Sequence, residues 1–363
     1  EAPDDGSKQA FLRRQAGADR DGHRQRQRHD RNGETGDCVG AKRGQAVALA
    51  QNRHELGREV ELSEQFLRAA DLLPLHDVRR EQDVVLSNIR RIQAKLPTLD
   101  RDEAPLAEHA LGRAYLALRQ YAEATAHLQA ALDKGLADGS VYYQLGLALG
   151  GQYQQAARVI ERQGDPEWQS ARKRELARRY LEPAKACFQK TSPASLDSPD
   201  YARARIAFFR QDLSSAEQSA TAALAKQPWR YELNELLGDV YYARVIELIH
   251  RGAYPDARVA LRSALTNYQA AAQVARSSAA LHLSEASAWA RQMSIEMLQG
   301  ASPQRAAEQS LAACARAAAA NPGSEEEGIH HVEYDVYFSL AFYEREHGRD
   351  PTPALDKALT SAR

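Results

Sequence analysis

The stretch Leu111-Gly112-x-x-Tyr115 decides the fold, because it opens a pattern that recurs along the chain. Small and large apolar residues follow at helical spacing, at Ala124, Leu128 and Ala131, and Leu145-Gly146 repeats the Leu-Gly pair 34 residues after its first occurrence. A period of 34 residues is typical of stacked helical hairpins. Gly112 and Ala124 are therefore predicted where two antiparallel helices cross closely and only small side chains fit.

The same register continues into the second half of the chain. A later unit keeps small or turn residues at four matching positions, which are Ala204, Ala216, Ala223 and Pro228. Gly238 lies 34 residues after Ala204. In the unit that contains Gly238, the next apolar residues lie seven residues further along the chain than in the first unit, at Ala257, Leu261 and Ala264. Seven residues are about two helical turns, so both helices of that hairpin are predicted to be longer without a change of packing face.

This pattern resembles the tetratricopeptide repeat (TPR), in which Leu-Gly is followed by a tyrosine and then by an alanine and a large apolar residue four apart. The resemblance covers roughly residues 105–270 and lacks the leading tryptophan. It implies an all-α fold, a TPR-like helical-hairpin solenoid wound as a right-handed superhelix. The Ala-rich composition favours helix independently. Two further hairpins are predicted, from about Ser284 to Ala320 and from about Glu333 to the end.

Three regions are predicted along the chain. Residues 1–44 are rich in Arg, Asp, Gly and Gln and hold almost no large apolar side chains, so they are predicted to be a disordered arm. Residues 45–104 are predicted to be a helical lead-in, and residues 105–363 to be the TPR-like repeat array.

The amino-acid composition argues against several classes of function. With 48 basic and 49 acidic side chains the net charge is -1, so no global field draws the protein to nucleic acid or to an anionic membrane. The three cysteines are far apart, which indicates neither a disulfide framework nor a zinc site. No apolar run approaches the roughly 20 residues that cross a bilayer. We predict no cofactor, no metal, no nucleic acid and no membrane segment, with a cytoplasmic location by default.

A second resemblance covers about Leu56 to Arg363. Several sequence segments resemble the C-terminal helical region of large bacterial serine/threonine protein kinases. In those proteins a kinase domain and a membrane helix precede such repeats. The segments are Leu72-Leu73-Pro74-Leu75-His76-Asp77-x-x-Arg80, Ala110-Leu111-Gly112-Arg113-x-Tyr115-Leu116-Ala117-Leu118, Leu145-Gly146-Leu147-Ala148-Leu149-Gly150 and Gly348-Arg349-Asp350-Pro351-x-Pro353-Ala354-Leu355. The resemblance implies a regulatory or sensory role, and an extracytoplasmic location if the chain derives from a membrane-spanning kinase.

The sequence differs from that family in the motifs that carry out catalysis. It contains no glycine-rich phosphate loop followed by Val-Ala-x-Lys, no His-Arg-Asp loop and no Asp-Phe-Gly element. These groups hold nucleotide, Mg²⁺ and the accepting hydroxyl in line. The chain is therefore predicted not to be an enzyme, and a kinase fragment that retains activity is the alternative.

The concave surface of the predicted array is the candidate site. In such solenoids the first helix of each hairpin lines the groove, which turns positions two, five, nine and twelve of each unit toward a ligand. These positions combine aromatic and charged side chains: His109, Arg113, Tyr143, Leu147, Tyr201, Arg205, Phe208, Glu235, Asp239 and Tyr242. Aromatic area gives affinity and charge gives orientation, so a protein or peptide is the predicted partner. The alternative is that Tyr143, Phe208 and Tyr242 only pack helices together.

Other motifs have simpler interpretations. The basic helix 172–179 would suit a regulator that binds nucleic acid, although a solvated face is favoured. His330-His331-x-Glu333 contains metal-ligand types, but adjacent helical side chains diverge by about 100°, so a solvated helix start is predicted. His76-Asp77 is predicted as a helix N-cap, and no catalytic triad is evident.

Overall fold

The computed structural model describes residues 58–160, 165–196, 198–323 and 326–362. The predicted arm 1–44 and the first part of the lead-in lie outside the described residues. The described residues contain no strand. As predicted, the fold is all-α, a TPR-like helical-hairpin solenoid, and residues 58–363 form one compact unit.

The helices are numbered in chain order. Their bounds are α1 (58–72), α2 (Arg79–Lys95), α3 (Ala104–Ala117), α4 (Tyr121–Asp133), α5 (Gly139–Ile160), α6 (Pro166–Leu176), α7 (Glu182–Gln189), α8 (Pro199–Phe209), α9 (Leu213–Lys226), α10 (Tyr231–His250), α11 (Tyr254–Val274), α12 (Ala279–Leu298), α13 (Gln304–Ala320), α14 (Glu326–Glu346) and α15 (Thr352–Ser361). Within the described ranges α3/α4, α5/α7, α8/α9, α10/α11, α12/α13 and α14/α15 pack as hairpins, and each stacks on the next. None of these helices is long and apolar enough to span a bilayer.

The predicted close crossing of helices is confirmed at two glycines. A Cβ atom placed on Gly112 of α3 would lie 2.5 Å from Cγ of Leu128 in α4. In the fourth hairpin, a Cβ on Gly238 of α10 would lie 2.5 Å from the ring of Tyr268 in α11. Leu128 is completely buried and Tyr268 is nearly so. The repeated Leu-Gly pair therefore marks the points where the two helices of a hairpin approach most closely.

The second hairpin is interrupted. Helix α6 and a π-helical segment, Ala177–Leu181, separate its first helix, α5, from its second, α7. Phe188 of α7 packs against Gly146 of α5, so the crossing is retained although its second helix comes late in the chain. The insertion explains why the repeat pattern in the sequence is not kept to the end of the second unit.

The predicted lengthening of the fourth hairpin is confirmed. Helices α10 and α11 have 20 and 21 residues, whereas α3 and α4 have 14 and 13. The predicted starts of the last two hairpins are wrong, because α12 begins at Ala279 and α14 at Glu326. Neither helix carries a Leu-Gly pair, so the sequence offered no marker from which to count its first turn.

The hairpin turns share one backbone conformation. Five of them in the described residues place one residue at positive φ, and the residues are Arg119, Gln211, Gly252, Gly300 and Gly348. In the first turn the N-H of Gln120 donates to the carbonyl of Tyr115, which closes the end of α3 as a Schellman-type cap. Glycine adopts this conformation without cost, whereas Arg119 at φ 57° does not.

Candidate functional site

A cavity of about 610 Å³ lies where the first helices of five hairpins converge, and we call it the central cavity. Helices α5, α8, α10, α12 and α14 contribute most of its lining. Aromatic side chains from four of these helices face it: Tyr153, Phe208, Tyr242 and Phe338. Charged side chains of both signs lie among them, including Arg158, Asp239 and Arg291. The cavity therefore offers both apolar area and groups that can orient a ligand.

Three of the ten predicted site residues line this cavity, namely Phe208, Asp239 and Tyr242. The ring of Phe208 also packs edge-on against Phe209, at 5.6 Å between centroids. Phe208 is thus both a packing residue and a lining residue. Packing between helices and lining of a ligand surface are therefore not mutually exclusive roles for the aromatic positions.

Four more predicted residues form a polar group beside the cavity: Tyr143, Tyr201, Arg205 and Glu235. The guanidinium carbon of Arg205 lies 5.1 Å from the ring centroid of Phe209, and its Nε is buried without a hydrogen-bond acceptor among the described residues. Burial raises the pKa of the Tyr143 and Tyr201 hydroxyls, so both stay protonated. They offer neutral hydrogen-bonding groups next to a cation.

Two carboxylates of α10 differ in their electrostatic environment. Burial alone would raise the pKa of Glu235, but Arg119 together with Arg205 and Arg158 lowers it below its ordinary value. The Arg119 Nη2 atom donates to Glu235 over 2.9 Å. Burial and the charge of Glu235 raise the pKa of Asp239, which accepts a 2.9 Å hydrogen bond from the Tyr268 hydroxyl. Glu235 is thus held as an anion, whereas Asp239 is shifted toward its neutral form.

The remaining three predicted residues do not line the cavity. His109 contacts the amide oxygen of Gln144 at 2.6 Å, and Leu147 packs with the apolar cluster that contains Leu181. Arg113 forms a bidentate ion pair with Glu64, at 3.0 and 2.7 Å. These contacts are intramolecular, and the assignment of these three residues to a ligand surface stays a prediction.

The lead-in is not merely a preceding segment, because helix α1 lies against first helices of the array. Its Arg68 pairs with Glu232 of α10 at 2.9 Å, and its Asp71 accepts a 3.1 Å hydrogen bond from Tyr231 of the same helix. Sequence reasoning missed this docking. No periodic signal could have shown it, because the partners are 160 residues or more apart in the chain.

Asp71 has a pKa raised to about 6, because burial and the neighbouring Glu235 and Glu232 outweigh Arg119 and the Tyr231 hydrogen bond. A carboxyl group whose pKa is raised on folding costs stability once it ionises, so this cost grows as the pH rises from about 4 to 6 and then persists. We expect Asp71→Asn to stabilise the protein by about 1–2 kcal/mol at pH 8 and to have little effect near pH 4. Urea unfolding across this range measures it. A variant less stable than the wild type at pH 8 would contradict the assignment.

The other motifs make short-range contacts within the described residues. In the basic helix Arg172 pairs with Glu175 at 2.5 Å, while Lys173 lines the central cavity. His330 and His331 lie 3.5 and 3.2 Å from Glu333 and Asp335 in the first turns of α14. No group of three or more His, Cys, Asp or Glu side chains within the described ranges is arranged to hold a metal ion.

The predicted N-cap at His76-Asp77 is half right. Asp77 accepts a 3.0 Å hydrogen bond from the backbone N-H of Arg79, but Val78 occupies the N-cap position of α2. The side chain of His76 instead contacts the Ser277 hydroxyl at 2.9 Å. Because Ser277 lies between α11 and α12, this contact joins the lead-in to a distant part of the array.

Comparison with solved structures finds a related arrangement of helices in human IFIT1. The chain matches the human IFIT1 dimer with m7Gppp-AAAA at a TM-score of 0.47 and the dimer with PPP-AAAA at 0.45, both at 15% sequence identity. The matches cover 78% of this chain and 57% and 54% of those chains, so it spans little more than half of their length. At this identity the likeness concerns the fold alone.

No protein-family model matches the chain, and no curated protein matches it either.

Proposed function

We propose that the array is a non-catalytic scaffold whose inner face binds a protein or peptide segment. The central cavity is the observation that supports this most strongly. Its volume of about 610 Å³ falls within the range of ligand-binding cavities, roughly 300–1,000 Å³, and aromatic side chains from four first helices line it beside charges of both signs. A surface built on packed helices needs little reordering when a ligand binds, so more of the contact energy becomes affinity.

The lining residues contribute different interactions according to their chemistry. Phe208 and Tyr242 supply apolar area on two adjacent first helices, α8 and α10. Arg158 lies on the same cavity wall, within 3.5 Å of the Ser284 hydroxyl, and can meet a carboxylate of the ligand. A peptide with an apolar or aromatic side chain next to an acidic group fits this arrangement.

A finer proposal is that this scaffold is the regulatory or sensory portion of a system related to bacterial serine/threonine kinases. It rests on the strings quoted above for that resemblance, above all the Leu72–Arg80 and Gly348–Leu355 segments. The absence of every phosphoryl-transfer motif from the sequence is the reason for assigning a binding role rather than a catalytic one.

The test is selection of binders from a random peptide library displayed on phage, with the full chain as bait. Synthetic copies of selected peptides are then titrated calorimetrically. We expect Phe208→Ala and Tyr242→Ala each to weaken binding about tenfold or more, as truncation of a central aromatic contact does. Trp229→Ala is the matched control, because this side chain is 68% exposed and does not line the cavity. Peptides that bind equally well to all four proteins would contradict the proposal.

Two further assays address the alternatives. Phosphate transfer from nucleotide and Mg²⁺ by the purified chain would overturn the non-catalytic role. Lys173 of the basic helix lines the cavity, so short single-stranded and duplex oligonucleotides are titrated as well. Tight binding with a steep salt dependence that Lys173→Ala reduces would favour a nucleic-acid ligand instead.

A further inference from the structure

Helix α1 docks on the array through one polar face. Glu64, Arg68 and Asp71 are spaced four and three residues apart, so they lie on the same side of the helix. Each meets a complementary group of the array. Glu64 binds the guanidinium of Arg113 on α3, and Arg68 binds the carboxylate of Glu232 on α10.

The partners of α1 occupy positions that the repeat register turns toward a ligand. With Gly112 as the eighth position of the first unit and Gly238 as the eighth of the fourth, Arg113 holds position nine and Glu232 holds position two. Helix α1 therefore bridges the groove-facing positions of two hairpins that are distant in the chain. It fills the place where the repeat architecture presents a peptide groove.

Backbone hydrogen bonds anchor the end of α1 and the start of α2. The N-H of Ser277 donates to the carbonyl of Asp71 at 3.0 Å, and the N-H of Val78 donates to the carbonyl of Ala320 at 2.8 Å. By contrast, Leu62 and Phe66 on another face of α1 are 53% and 42% exposed. The helix thus turns its charged face toward the array and buries only a few small side chains, which are Val60, Ser63 and Ala70.

The ion pairs that hold α1 are partly solvated. The side chains of Arg68 and Glu64 are 40% and 36% exposed, and pairs of this kind contribute about 0–1 kcal/mol each. The ion pairs therefore determine which helix docks but add little to how firmly it is held, so a second helix with the same charge pattern can replace it.

We propose that α1 is a resident ligand of this groove, and that a partner protein displaces it with a helix carrying a carboxylate, a guanidinium and a carboxylate at positions i, i+4 and i+7. This inference rests on the proposed peptide-binding function and adds the chemistry of the partner. The groove residues that pair with these three positions are, in the same order, Arg113, Glu232 and the hydroxyl of Tyr231.

The test uses the full chain and a fluorescein-labelled peptide of residues 58–78. The wild-type chain should bind the peptide weakly, because its own α1 occupies the groove. The Arg68→Glu chain, in which Glu232 repels the resident helix, should lose hydrogen-exchange protection in residues 58–72 and bind the wild-type peptide at least tenfold more tightly by anisotropy. A peptide that itself carries Arg68→Glu should bind this chain at least tenfold more weakly.

Two further chains complete the design. Glu61→Lys changes a charge on the exposed side of α1 and should behave as the wild type. Arg68→Glu combined with Glu232→Arg restores the pair in the opposite sense and should return protection to residues 58–72. The combined chain also shows that the single variant lost its docking by charge repulsion rather than by unfolding.

The inference is overturned if α1 stays protected in the Arg68→Glu chain, or if α1 is released and the peptide still does not bind. Its failure is distinct from failure of the proposed function. Library peptides that depend on Phe208 and Tyr242 report on the central cavity, whereas the 58–78 peptide depends on Arg113 and Glu232.

Discussion

Replacement of Gly238 by leucine is expected to destabilise the protein by about 3 kcal/mol, the largest effect we predict for a single substitution. A Cβ at this position already lies 2.5 Å from Cδ1 and Cε1 of Tyr268, and the ring is 2% exposed, so it can move only toward the central cavity that it lines. Displacing the ring would also break the 2.9 Å hydrogen bond from its hydroxyl to Asp239. Overpacking and the loss of a buried hydrogen bond then add.

Gly139→Leu is the matched control for this substitution. Gly139 is also helical, at the start of α5, but a Cβ there would meet nothing closer than 3.8 Å. Since leucine has the better helix propensity, the control should be neutral or slightly stabilising. Urea unfolding of both variants gives the comparison. If Gly238→Leu unfolds at the same urea concentration as the wild type, α10 and α11 do not cross at this point.

The hairpin crossings were predictable because their signal is local and periodic. Gly112 and Gly238 are small because a large side chain from the following helix needs the space, and the same requirement recurs in each hairpin that keeps the motif. The extra length of α10 and α11 was predictable for the same reason, because the packing positions that repeat along the chain are about two helical turns further apart in this hairpin.

The candidate site was only partly predictable, for a physical reason. Position counting found Phe208, Asp239 and Tyr242, which lie in hairpins with a clear register. It did not find Arg158 or Phe338, because one lies beyond the counted part of an extended α5 and the other on α14, which lacks the Leu-Gly marker.

Contacts between distant parts of the chain leave no periodic trace in the sequence. The Arg119–Glu235 pair joins residues 116 positions apart, and the Arg68–Glu232 pair joins residues 164 apart. Each residue looks like an ordinary surface charge in its own helix or turn. Only the stacking of all the hairpins brings them together, so the docking of α1 depends on the tertiary structure as a whole.

Arg119→Gly is expected to destabilise the protein by about 1–3 kcal/mol at neutral pH, although it relieves backbone strain. Arg119 sits at φ 57°, where glycine is the favoured residue. Its guanidinium, however, pairs with Glu235, whose side chain is only 14% exposed, and its charge also opposes the raised pKa of Asp71. Loss of the arginine would leave a poorly solvated carboxylate without its partner, and the 43% exposure of Arg119 keeps the penalty below that of a fully buried pair.

Gln211→Gly is the matched control, because Gln211 occupies the equivalent turn position at φ 63°. Its side chain is exposed, so this substitution should stabilise the protein by a few tenths of a kcal/mol up to about 1 kcal/mol. Opposite signs for the same chemical change at two equivalent turns would separate the backbone contribution from the charge contribution. If both variants are more stable than the wild type, the Arg119–Glu235 ion pair contributes nothing to stability.

The pH dependence of this stability difference tests whether Arg119 acts through the charge of Glu235. In the wild type Arg119 helps to hold the pKa of Glu235 below 4.5, so the stability from this group is present above that pH and fades as the pH falls through the lowered pKa. Without Arg119, burial favours the neutral acid, and the penalty of the variant disappears when Glu235 is protonated. The difference in unfolding free energy between wild type and Arg119→Gly should therefore be largest near pH 7 and shrink toward pH 4. A difference that is independent of pH would show that Arg119 acts through turn geometry rather than through the Glu235 charge.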